Sequence, residues 1–146
     1  MNVVNNEEGL KDILMTVYDE NPYVKLLDIS IENLGEGRAD LYMPVFAGKH
    51  TNLYNIAHGG ALASLADTAM GVACATTGKK VVTLEMNMNF IKGAVPQTKI
   101  KAIGRVIHNG KSTMIAEGEI VDDQNELLLK ARGTFFVTGA FAEDNK

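Results

Sequence analysis

The sequence predicts an α+β fold in which a mainly antiparallel β-sheet of about five to six strands covers one long helix. Three stretches carry this prediction. Residues Ala61 to Cys74 are apolar on nearly every face, interrupted by Ser64, Asp67 and Thr68, and a helix hydrophobic all round belongs in a core. Val82, Leu84, Met86, Met88 and Phe90 alternate with Thr83, Glu85, Asn87 and Asn89, the period of a strand. Further on, Asn109-Gly110-Lys111 and Asp122 to Asn125 punctuate apolar runs as tight hairpin turns, which join antiparallel neighbours. One face of that sheet has to cover the long helix, since nothing else in the chain can bury it.

The elements follow in order. Asn6 is placed to cap a first helix, with Glu7 and Glu8 near its positive end. Leu10, Ile13, Leu14, Val17 and Tyr18 recur at spacings of three and four and stop before Asn21-Pro22. A first strand is expected over Val24–Asn33, with Leu27, Ile29 and Ile31 on one face, then a turn at Gly35-Glu36-Gly37. A second strand over Arg38–Val45 turns Ala39, Leu41, Met43 and Val45 to the same side. Phe46 to Ala57 reads as an irregular loop, and Gly78 as the stop of the long helix. The third strand is the alternating stretch 82–90. The remaining strands are expected over Thr98–His108, Ser112–Asp122 and Glu126–Thr138. All 146 residues are expected to form one domain, with the N-terminal helix inside 1–22 and a flexible tail over 139–146.

Composition narrows the function. Apolar residues at 46% and charged residues at 22% are ordinary for a globular chain. A net charge of −4 argues against a nucleic-acid binder, which carries a basic face, and the first 20 residues leave no room for a helix-turn-helix module. The single cysteine, Cys74, excludes an internal disulfide and fits a reducing compartment. No signal peptide and no membrane span is legible, so a cytoplasmic protein without a membrane partner is expected.

Asp67 is the residue that asks for a function, because a carboxylate inside an apolar helix costs several kcal/mol unless it is satisfied. The helix opens with His58-Gly59-Gly60, whose free backbone N–H groups can receive a developing negative charge. Eight residues separate Gly59 from Asp67, about 12 Å along a helix. A reacting carbonyl has to sit within about 3 Å of its oxyanion donors and close to its nucleophile or base. One helix therefore cannot offer both groups to one carbonyl. If both serve one site, a second copy supplies the other half, and a two-fold dimer gives two equivalent sites.

The residues also carry a resemblance. Asn52-Leu-Tyr-Asn-Ile-Ala-His58-Gly59-Gly60, followed by Leu-Ala-Asp67-Thr-Ala, resembles the signature of the PaaI-type acyl-CoA thioesterases of the hotdog fold. That family reads Asn-x-x-Gly-x-x-His-Gly-Gly, then an apolar stretch and an Asp nine residues after the histidine. The resemblance runs over about residues 20–138. It implies that Asp67 is the catalytic carboxylate, as nucleophile or as general base on water, and that the Gly59 N–H polarises the thioester carbonyl. It implies that Asn52 and His58 shape the site, with Gly60 beside them, and that Thr83 hydrogen-bonds the attacking water. It places Lys111 and Ser112, in Gly110-Lys111-Ser112, near the phosphates of CoA. The substrate implied is an acyl-CoA, with CoA as part of the substrate and no metal or bound redox cofactor, and the assembly implied is a homodimer, built further into a homotetramer. One position departs from the pattern: Asn55 stands where the family has glycine. Asn tolerates a left-handed backbone better than other residues, so the loop shape is expected to survive with an added polar group at the mouth of the site.

Other readings compete. Asp67 could be a structural carboxylate capped by Ser64 or Thr68, and Thr83 could simply suit a strand. His50 and His108 read as surface or loop residues without metal-ligand spacing. Cys74 reads as an inert core thiol, and the methionines of the third strand as helix-packing residues. At the level of function, a non-catalytic acyl-CoA-binding protein and a hydratase or dehydratase of the same fold are the alternatives.

Overall fold

The computed structural model describes residues 7–141. Its elements are α1 (Glu7–Asp19), α2 (Pro22–Leu26), β1 (Ser30–Gly35), β2 (Arg38–Pro44), α3 (Gly59–Ala75), β3 (Lys79–Phe90), β4 (Lys99–Asn109), β5 (Thr113–Val121) and β6 (Leu127–Ala140). The six strands form one antiparallel sheet in the order β1-β2-β4-β5-β6-β3, and α3 packs on one face of it, as the fold class requires. Helix residues Leu65, Ala66, Ala69, Met70, Val72 and Ala73 share one buried cluster with Leu41, Met43, Ile100, Met114, Ile120, Leu129 and Phe135 of the sheet.

The helix seats closely because β4 carries Gly104 beneath it. A Cβ at Gly104 would lie 2.3 Å from the Ala69 carbonyl oxygen, inside any real contact distance. Smaller residues on the inner faces of β4 and β5, Ala102, Ala116 and Gly118 among them, leave the same groove. At the far end of α3, Gly78 takes φ +92°, and its N–H donates to Ala75 O at 2.9 Å, the stop expected there.

Three boundaries differ from expectation. Residues 24–26, expected at the start of the first strand, belong to α2, because Asn21 caps that helix through Oδ1 and Pro22 begins it, the preferred chemistry for a helix start. The chain leaves α2 through Asp28 at φ +61° and only then extends. β3 begins at Lys79, three residues earlier than expected, and β6 continues through Ala140, so the start of the expected tail is strand. The Asn6 cap and residues 142–146 lie outside the described residues.

Helix α1 forms a second small core with the end of α3. Leu10 and Leu14 meet Ala75, with Tyr18, Leu34 and Phe141 packed against them.

Candidate active site

The start of α3 is built by the loop before it. Asn52 Oδ1 accepts the N–H groups of Tyr54 (2.9 Å) and Ile56 (3.3 Å), and the Asn52 N–H donates to Ile56 O at 2.8 Å. Asn55 sits at φ +59°, the left-handed conformation for which a glycine is otherwise used. The expected loop shape is therefore kept, with the Asn55 side chain exposed. A bridge between Thr51 and Ala57 closes this turn, and the His58 N–H donates to His50 O at 2.7 Å.

His50 is the loop residue expected, but it does not lie at the surface. It is buried, with Nδ1 accepting the Phe46 N–H at 3.0 Å and Nε2 2.7 Å from Leu27 O. The backbone N–H can only donate and the carbonyl can only accept, so the ring carries its proton on Nε2. It clamps the loop 46–57 to the residue following α2. No periodic signal marks such a role inside an irregular loop.

His58 caps α3 with extended backbone (φ −65°, ψ 138°), its Nδ1 accepting the Gly60 N–H at 2.8 Å. The N–H groups of Ala61 and Leu62 return to His58 O at 2.9 and 3.1 Å. The Gly59 N–H has no hydrogen-bond acceptor among the described residues, at the positive end of a 17-residue helix.

Asp67 lies one helix face away. It was expected to be buried, but it is half-buried, because Ala63, Ser64, Asp67, Thr68 and Gly71 form a stripe that the sheet leaves uncovered. The hydroxyls proposed to cap it are used elsewhere: Ser64 Oγ donates to Gly60 O (2.8 Å) and Thr68 Oγ1 to Ser64 O (2.7 Å). Ser64 Oγ also meets the Tyr23 hydroxyl of α2 at 2.8 Å. The partner of Asp67 is Thr83, whose hydroxyl donates to Oδ1 at 2.7 Å.

Thr83 reaches the helix through a bulge. Strict alternation would turn Thr83 outward with Glu85. The register of β3 on β6 slips between Thr83 and Glu85, so that Leu84 is the extra residue. Thr83 then lies opposite buried Phe135, while Glu85 lies opposite Thr134 on the outer face, where their side chains bond at 2.9 Å. Bulges of this kind re-aim a side chain and recur beside active sites. Beyond it Met86 and Met88 return to the core side, as expected of the methionines.

Asp67 and Thr83 open into a hollow of about 160 Å³, completed by Tyr18, Asn21, Thr68 and Phe135. The sequence does not mark Tyr18 or Asn21 as site residues, since Tyr18 belongs to the apolar stripe of α1 and Asn21 precedes Pro22 as a helix stop. Burial, with Cys74 and Asp67 nearby, pushes the Tyr18 phenol above its ordinary pKa. Lys111 and Ser112 are exposed at the β4–β5 turn, where Lys79 Nζ holds Asn109 Oδ1 (2.7 Å) and Gly110 O (2.9 Å). Met114, two residues past Ser112, aligns with Phe135 and then Thr83 across β5, β6 and β3, so the turn stands about 10 Å across the sheet from Thr83. Cys74 is fully buried and burial pushes its thiol up to about 11, in keeping with an inert core residue. Among the described residues no three His, Cys, Asp or Glu side chains cluster as a metal site, and no helix is long and apolar enough to cross a membrane.

The family model of the thioesterase superfamily matches residues 54–129, from the loop before α3 to β6. The chain belongs to that superfamily. It is a PaaI-type hotdog protein and a thioester hydrolase. It is 33% identical over 117 residues to the acyl-coenzyme A thioesterase PaaI of Escherichia coli, covering 80% of this chain and 83% of that one. The solved structure of the E. coli PaaI protein from the phenylacetic acid degradation operon superposes with a TM-score of 0.85 at 30% identity, over 90% of this chain and 94% of that one. A Streptococcus mutans protein bound to acetyl CoA is similar at 28% identity and a TM-score of 0.74, over 77% of this chain and 90% of that one.

Proposed function

We propose that this thioester hydrolase acts on acyl-CoA, splitting it to free acid and CoA at sites shared between two subunits. The observation that carries the reading is the division of the chemistry along α3. A Gly59 N–H without an acceptor among the described residues sits at one end, and a carboxylate fixed by Thr83 sits two turns later. About 12 Å separates Gly59 from Asp67 in one helix, so Gly59 of one subunit and Asp67 of the other serve one carbonyl. β3 supplies an edge for pairing: it is the last strand of the sheet and twelve residues long, with Val82 and Leu84 exposed, and such an edge is a template for another strand. Similarity to an acyl-CoA thioesterase and to a protein solved with acetyl CoA supports the substrate class.

In this reading the thioester oxygen lies on the Gly59 N–H at the helix N-terminus, which holds the negative charge that develops on attack. Thr83 orients Asp67 through Oδ1 and leaves Oδ2 to act. The carboxylate either takes a proton from a water that adds to the carbonyl carbon, or adds to it directly and is released by water. In both routes the C–S bond breaks and the CoA sulfur receives a proton. The resemblance gave the Thr83 hydroxyl to the attacking water; its bond to Asp67 makes it a positioning residue. Asn52, Asn55 and His58 hold the loop and cap that present Gly59, and Lys111 and Ser112 offer a cation and a hydroxyl to the CoA phosphates. The reaction as proposed needs water and these groups alone, without metal or redox cofactor. Pairing of dimers into a tetramer and residence in the cytoplasm belong to the same proposal.

Complementation tests the shared site. Asp67→Asn removes the charge with little change in shape. Gly59→Pro removes one N–H at the first helical position, where proline is tolerated, and His58 already has the extended backbone a following proline requires. Each variant alone is expected to lose about 100-fold or more in kcat against an acyl-CoA panel with free-thiol detection. Mixed and reassembled in equal amounts, they should recover about a quarter of wild-type activity. Half of the dimers are then mixed, and each mixed dimer holds one site with both groups intact. No recovery in proven mixed dimers refutes the shared site. Wild-type turnover by Asp67→Asn refutes the role of Asp67. Tight CoA binding without turnover by the wild type would favour a binding protein, and hydration of an enoyl-CoA a hydratase.

A further inference from the structure

Tyr18 stands between two hollows, and hydrolysis alone does not account for the second. The first is the Asp67 hollow of about 160 Å³. The second, about 460 Å³, lies between α1, the last turn of α3 and the first residues of β3, and Ile13, Val17, Ala75 and Phe141 give it an apolar lining. Tyr18 and Val81 line both. Of the two lysines at this second hollow, Lys79 is held by the β4–β5 turn and Lys80 stands over the Phe141 ring at 5.6 Å. Tyr18 packs on both hydrophobic clusters of the protein, so its ring is a fixed partition. Removing it would make one cleft running from the Asp67 carboxylate to Phe141.

We propose that Tyr18 limits the length of the acyl chain this enzyme accepts, by closing the Asp67 hollow off from an apolar annexe beneath α1. The proposal rests on the reading of Asp67 as the site of hydrolysis. Tyr18 lines the Asp67 hollow directly, so in this reading its ring sets how far an acyl chain can run on this subunit's side of the shared site. A longer alkyl chain leaving the carbonyl would run into the Tyr18 ring, beyond which Ile13, Val17, Ala75, Val81 and Phe141 offer hydrocarbon, with Lys79 and Lys80 at the same hollow. Each methylene that enters it strengthens binding roughly fourfold.

The test is a panel of straight-chain acyl-CoA thioesters from butanoyl to dodecanoyl, hydrolysed by the purified full-length enzyme. Tyr18→Ala should raise the dodecanoyl-to-butanoyl ratio of kcat/KM at least tenfold, and Tyr18→Phe, which keeps the ring, should leave it at the wild-type value. Adding Ile13→Trp to Tyr18→Ala refills the annexe and should return the ratio towards wild type. A Tyr18→Ala enzyme that loses activity equally at every length overturns the proposal, since a merely structural role predicts that uniform loss. If the alanine variant does not fold, Tyr18→Leu carries the same test, and a folded leucine variant with a wild-type ratio overturns it. Asp67→Asn on the same panel separates the two readings. Full activity there sinks the role of Asp67, whereas an unchanged ratio in the Tyr18 variants sinks only the partition.

Discussion

Gly104→Ala should loosen the seat of α3 and cost both stability and activity. The added Cβ would lie 2.3 Å from Ala69 O, 2.6 Å from its carbonyl carbon and 3.0 Å from Met70 N. All three are helix backbone, which has no rotamer to change. To restore even a 3.0 Å separation from the oxygen, helix and strand have to part by about 0.7 Å. Overpacking of this kind costs about 1–3 kcal/mol. At about 2–4 °C per kcal/mol for a chain near this length, the melting temperature should fall by roughly 2–12 °C. Asp67 is two residues before Ala69 on the same rigid helix, so the displacement reaches the carboxylate and its 2.7 Å bond to Thr83. Misplacement on the scale of 1 Å can cost about 100-fold in rate, and a loss of about 10-fold or more in kcat/KM is expected. The measurements are thermal unfolding at matched protein concentration and hydrolysis of a short acyl-CoA. Gly35→Ala is the control, since a Cβ there meets nothing within 4 Å. A Gly104→Ala enzyme that melts and turns over like wild type would refute the close-approach reasoning.

Two further positions, Asn55 and Cys74, have expected outcomes. Asn55→Gly should be neutral or slightly stabilising, because glycine takes φ +59° without a Cβ penalty, whereas Asn55→Ala should cost about 1 kcal/mol; chemical denaturation of the two variants checks the order. Cys74 should resist iodoacetamide in the folded protein at pH 8 and react fully once unfolded, since burial holds its thiol near 11 and the thiolate is the nucleophile. The same shift fixes a sign: folding favours the protonated thiol, so its contribution is intact below pH 9 and is lost as pH rises towards 11, which denaturant midpoints across that range would show.

The parts of this fold that repeat were legible, and the parts that break a repeat were not. α3 and the alternating strands follow from period and polarity, so the sheet covering one long helix could be read directly. The α2 turn could not, because Val24, Leu27 and Ile29 suit a strand as well as a short capped helix, and Asn21-Pro22 decides between them only through its cap. The burial of His50 is not legible for the same reason, since two backbone groups fix it in a loop with no period. The site shows the limit most clearly. Period-two reasoning turns Thr83 away from the helix, and the residue was named from the motif alone. The bulge at Leu84 is invisible to alternation, yet it is what brings the hydroxyl to Asp67. Asp67 itself was found because it offends an apolar pattern, but its half-buried state follows from something a single chain does not spell out. The stripe from Ala63 to Gly71 stays uncovered by its own sheet, beside a β3 edge unpaired among the described residues and a helix N-terminus whose Gly59 N–H has no acceptor among them. Each of these alone is an ordinary surface feature. Together they give one chain a donor, an acid and a pairing edge that one helix cannot bring to one carbonyl, and it is on this division that the proposal of a site shared with a two-fold partner rests.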